Sequence, residues 1–107
     1  MKQFSQATWV KSKYAEDADG VACDPAEPQA VRWCMMGWLH YFYDCPPSRW
    51  DLAPNGAAIT DAYNRVVAIV HQRGYLAMSY GDHKDRRWEE VESVLLEAGV
   101  PLFKEGA

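Results

Sequence analysis

Asp82, His83, Asp85 and Arg86 form the densest polar cluster of the chain, within the run Gly-Asp-His-Lys-Asp-Arg-Arg. A carboxylate beside an imidazole is the minimum for acid–base chemistry, and a guanidinium beside them could hold an anion. The same residues have an ordinary structural use. Asp82 or Asp85 can cap a following helix, and Arg86 can reach Glu90 one turn further on. His83 has no evident nucleophile or second base near it, so the structural use is the better reading. Lys84, Arg86 and Arg87 are basic but interleaved with Asp82 and Asp85, a patch too small and too mixed for nucleic acid.

Other chemistry-bearing residues are dispersed. Cys23, Cys34 and Cys45 are far apart, with no C-x-x-C and no H-E-x-x-H, so the sequence predicts no metal site and no cofactor. Cys34 falls on a core-facing position, which makes it a buried, inert thiol. Glu16, Asp17 and Asp19 precede Gly20, but the regular calcium-loop spacing and its distal Glu are missing, so a solvated turn is predicted. Three cysteines cannot all pair within one chain, and the start MKQFSQATWV has no apolar run. Both point to reduced thiols and a cytoplasmic location.

The elements that must position these residues follow from patterning. The chain has 107 residues, 49% hydrophobic and 24% charged, which predicts one globular domain over 1–107. A net charge of -4 argues against general affinity for phosphate backbones. Five Trp, six Tyr and three Phe can fill a small core or anchor a partner. The stretch AVRWCMMGWLHYFY, residues 30–43, is too short and too interrupted to span a membrane, and it predicts a buried central helix over about 28–43. A short helix is expected over Lys2–Tyr14, a third over Ile59–Arg73 closed by Gly74, and a fourth from about Asp85 to Gly99. Tyr75–Tyr80 reads as a short extended segment, and 103–107 as a loose tail. The predicted fold is mainly α, a compact four-helix domain.

Three blocks carry a family resemblance. WVKSKYAEDADG (9–20) resembles W-x-x-G-x-Y-A-x-D-A-x-G, and AVRWCMMGWL (30–39) resembles A-x-R-W-C-x-x-G-A-L. YGDHKDRRWEEV (80–91) resembles W-N-D-x-x-x-R-x-x-x-E-V, with Asp82, Arg86, Glu90 and Val91 in register. Together they resemble a small uncharacterised family of bacterial and phage proteins. The resemblance implies a small helical domain and no particular activity. Ser12 stands where that pattern has Gly, Tyr80-Gly81 where it has Trp-Asn, and Trp38 where it has Ala. The short lead into the first block implies a surface left open, or closed by a second copy.

The functional expectation is a non-catalytic protein-binding domain, in a phage setting a modulator or inhibitor of a host protein. Its candidate binding residues are Arg32, His40, Tyr43, Trp50, Asp82, His83 and Arg86, drawn from the more polar side of the central helix, an aromatic loop and the polar turn. The alternatives are a homodimer, and a small metal-dependent or acid–base enzyme centred on Asp82 and His83. No membrane or nucleic-acid partner is expected.

Overall fold

The computed structural model describes residues 2–50, 54–76 and 80–105. In chain order the regular elements are β1 (Lys2–Gln3), β2 (Ala15–Glu16), β3 (Arg32–Trp33), α1 (Met35–Phe42), α2 (Gly56–Gln72), α3 (Trp88–Glu97) and β4 (Phe103–Lys104). Short 3-10 turns lie at Gln6–Thr8 and Pro47–Arg49. β1 pairs antiparallel with β4, and β2 with β3, giving two separate two-stranded sheets. The fold is therefore a small α+β domain, and the four-helix expectation is wrong.

The error begins at Lys2–Tyr14, which forms no α-helix, only the short 3-10 turn at Gln6–Thr8. Its backbone groups find distant partners instead: Phe4 N–H donates to Leu102 O at 2.7 Å and Val10 N–H to Trp33 O at 2.9 Å. Ser12 has φ +71°, a left-handed conformation that no right-handed helix accommodates. A segment this short is marginal as an isolated helix, so long-range pairing prevails over its apolar spacing.

The central helix is half its expected length. Arg32 and Trp33 pair with Glu16 and Ala15 as a strand, and the helix starts at Met35, where the Cys34 sulfur accepts the Gly37 N–H at 3.2 Å. A run apolar on every side suits a buried strand as well as a buried helix, and periodicity cannot separate the two. The hub role survives. Trp33, Met35, Trp38 and Leu39 are all buried, and they pack with Phe4, Ile59, Val66, Val91 and Leu95 in one core. Trp38 stacks on Phe4 at 5.3 Å and donates its indole N–H to Pro101 O at 2.8 Å. The bulky ring thereby joins the two ends of the chain.

α2 and α3 follow their patterns. Ile59, Ala62, Val66, Ile69 and Val70 form the buried stripe of α2, and Trp88, Val91, Val94 and Leu95 that of α3. α2 lies against both α1 and α3. Gly74 takes φ +85° and the Tyr75 N–H donates to Val70 O at 3.1 Å, closing α2, as a left-handed C-terminal cap should. α3 begins later than Asp85 because Glu90 reaches back to the Arg87 N–H at 3.0 Å and fixes the first turn there. The expected extended segment over 75–80 lies partly outside the described residues. Tyr75 and Leu76 are irregular and exposed, and Tyr80 is helical and buried. The tail is not loose at Phe103–Lys104, which β1 holds.

Gly37 is fixed by a backbone contact. A Cβ at this position would sit 1.9 Å from Tyr14 O, and that carbonyl also accepts the Cys34 N–H at 3.1 Å. In an ordinary helix interior, Gly→Ala stabilises by about 1 kcal/mol. Here Gly37→Ala is expected to destabilise by about 1–3 kcal/mol through overpacking, a reversal of sign that urea denaturation reads directly. Ser12→Gly is expected to raise stability by about 1 kcal/mol, because the left-handed conformation then carries no Cβ penalty. An unchanged or lower denaturation midpoint would contradict that account.

Candidate functional site

The polar turn after Tyr80 is bound to the N-terminal segment by two neighbouring residues. The Lys11 ammonium donates to three carbonyls, His83 O at 2.7 Å and Lys84 O and Arg86 O each at 3.1 Å. The Ser12 N–H donates to Asp82 Oδ1 at 3.0 Å. Within the turn, His83 Nδ1 accepts the Asp85 N–H at 3.2 Å and His83 O accepts the Arg86 N–H at 2.9 Å. Asp82 and His83 stay exposed, but each already serves a backbone N–H.

Arg86 points the other way. It is only 7% exposed, donates to Tyr80 O and to Glu90 Oε2 at 2.8 Å each, and lies over the Tyr80 ring at 3.7 Å and the Tyr75 ring at 4.5 Å. The planar guanidinium satisfies a carbonyl, a carboxylate and two ring faces at once, which an ammonium could not. The Arg87 N–H first, and the Arg86 guanidinium second, hold the Glu90 carboxyl below the usual carboxylate range.

Between these segments and the start of α1 lies a cleft of about 240 Å³, lined by Ser12, Lys13, Tyr14, Cys34, Met36 and Asp82. This is below the usual size of a small-molecule pocket. The Cys34 thiol at its edge is pushed up to about 11 by burial, which outweighs the Gly37 N–H at its sulfur. A thiol in that range is poorly nucleophilic.

The other sequence candidates do not join this turn. Arg32 pairs with Glu16 and donates to Asp17 O at 2.8 Å. Hydrogen bonds from Arg32 and Lys13 hold Glu16 below the carboxylate range. His40, expected on the more polar side of its helix, is 0% exposed. The Cys45 carbonyl lies 2.7 Å from its Nδ1, and its ring meets those of Tyr14 and Trp50. Trp50 is half-buried, tucked on Tyr63, with its indole N–H donating to Thr60 Oγ1 at 2.8 Å. Tyr43 is half-buried against Phe42 at 5.0 Å.

Tyr43 leads to a feature that the sequence reading missed. A groove of about 460 Å³ beside the C-terminal end of α1 is lined by Phe42, Pro101, Phe103, Lys104 and Glu105. Phe103 is 51% exposed. The Lys104 ammonium donates to Tyr41 O at 2.8 Å and lies over the Tyr41 ring. The only sequence signal was an aromatic residue in a segment read as a tail.

Among the described residues no group of three or more His, Cys, Asp or Glu is placed to hold a metal ion, and no helix is long and apolar enough to cross a membrane. No protein-family model matches the chain, and comparisons with curated proteins and with solved structures give no significant match. The fold and its surface define a small α+β domain with a bound-down polar turn and an open aromatic groove.

Removing the Arg86 guanidinium leaves Tyr80 O and Glu90 without their donor. Arg86→Leu is expected to lower stability by about 1–3 kcal/mol, and Arg86→Lys to recover only part of it. Chemical denaturation of the two variants checks the order.

Proposed function

We propose that this chain is a non-catalytic protein-binding domain that takes an extended apolar segment of a partner protein along β4. The carrying observation is Phe103, half exposed on a strand that among the described residues is paired on one side only, in the same groove as Phe42 and Pro101. An unpaired strand edge offers backbone donors and acceptors to an incoming strand, and the adjoining groove selects its side chains. Lys104, tied to Tyr41 O, keeps the edge in place before a partner arrives, which lowers the ordering cost of binding. Tyr43, edge-on to Phe42, extends the aromatic rim.

The polar turn supports this reading from the other side. Lys11, Ser12 and Arg86 direct their hydrogen bonds into the chain itself, so the turn has a structural task whether or not it has another. The resemblance to bacterial and phage proteins supports a search among cytoplasmic host proteins, as for a small modulator or inhibitor.

Selection of displayed peptides on the immobilised protein is the test. Extended peptides with alternating apolar side chains are expected, with binding lost in Phe103→Asp while the melting temperature changes little. Equal selection by wild type and Phe103→Asp would sink the proposal. Solution mass separates a second copy from a different partner: a dimer broken by Phe103→Asp would make the occupant another molecule of this chain.

A further inference from the structure

We propose that His40 is an acid-sensitive latch, and that proton uptake at its Nε2 releases the segment from Asp44 to Trp50 from the end of α1. The ring is fully buried. Its Nδ1 lies 2.7 Å from Cys45 O, an acceptor, so Nδ1 carries the proton and donates it there. Nε2 is then an acceptor, and it is buried with no hydrogen-bond partner among the described residues. A proton added at Nε2 creates a buried charge and an N–H donor with no acceptor among the described residues, which is costly away from water.

The segment meets this residue at both of its ends. The Cys45 N–H donates to His40 O at 3.0 Å and the Asp44 N–H to Tyr41 O at 3.2 Å. The Trp50 ring meets the His40 ring edge-on at 4.9 Å, with Thr60 as its polar anchor. Asp44 has φ +52°, a left-handed conformation that an unlatched segment would relax.

The surroundings favour the neutral ring. Tyr14 packs at 5.4 Å from the strand side, Trp50 brings no charge, and the Cys45 thiol is itself held protonated by burial. Burial lowers the His40 pKa; the Cys45 carbonyl and the Asp24 carboxylate oppose this without reversing it. The sign follows from linkage. The released histidine takes a proton near 6.5, and the latched one resists. The latch is therefore complete above that pH and weakens as pH falls through it.

Hydrogen exchange on the intact chain, corrected for intrinsic rates, tests this between about pH 7.5 and about pH 5.5. Protection of the Asp44, Cys45 and Arg49 amides is expected to fall about tenfold across that range, most of it over the last unit, while amides in α2 and α3 hold theirs. His40→Asn, whose amide can still donate to Cys45 O, should remove the pH dependence. A double variant of the exposed histidines, His71→Gln with His83→Gln, should keep it. Equal protection at both ends of the range, or simultaneous loss across all helices, would overturn the latch. Should His40→Asn fail to fold, the wild-type imidazole titration followed by NMR decides: a midpoint below 6.5 supports the latch, and one at or above 6.5 refutes it.

Discussion

Everything in this fold depends on one close approach, the Tyr14 carbonyl against the start of α1. That carbonyl accepts the Cys34 N–H and occupies the space where a side chain at position 37 would be. Because Gly37 has no Cβ, the N-terminal segment lies flat across the helix, and β2 can then pair with β3 immediately before it. The same placement sets Ser12 beside Asp82 and Lys11 beneath the polar turn. One missing methyl group thus organises an N-terminal arm, a sheet and a loop.

A chain with so little regular structure outside its helices needs other ways to satisfy its backbone. Three lysines supply much of this. Lys2 donates to Ala30 O at 2.7 Å and also to Pro28 O, Lys11 to three carbonyls of the turn, and Lys104 to Tyr41 O. Lys2 and Lys104 are direct cross-strand partners, a like-charge pairing that is normally unfavourable. Both ammonium groups lie over the Tyr41 ring, at 5.4 Å and 4.9 Å, and ring faces and carbonyls offset the repulsion. The two ends of the chain are therefore joined through aromatic rings as much as through the short β1–β4 ladder.

The division of labour between polar and apolar groups then becomes clear. Three of the polar binding candidates in the sequence are turned inward, Arg86 onto Tyr80 and Glu90, Arg32 onto Glu16, and His40 into the core, while Asp82 and His83 stay exposed. What the packing leaves outside near α1 is aromatic, with Phe103 half exposed beside Phe42 and Tyr43 next to it. Arg86, Arg32 and His40 thus serve the fold itself, while the surface beside the end of α1 is left to aromatic rings.

The stripes of α2 and α3, the caps at Gly74 and Gly99 and the i,i+4 pair of Arg86 with Glu90 were all determined by the sequence alone, because each rests on neighbours within a turn or two. The strands at Lys2–Gln3, Ala15–Glu16, Arg32–Trp33 and Phe103–Lys104 were not. Each is two residues long, too short for an alternating pattern, and each exists only because a distant segment supplies its hydrogen bonds. The groove at Phe103 and the burial of His40 were hidden for the same reason. Exposure is decided by which remote segment covers a residue, and only the tertiary structure decides that.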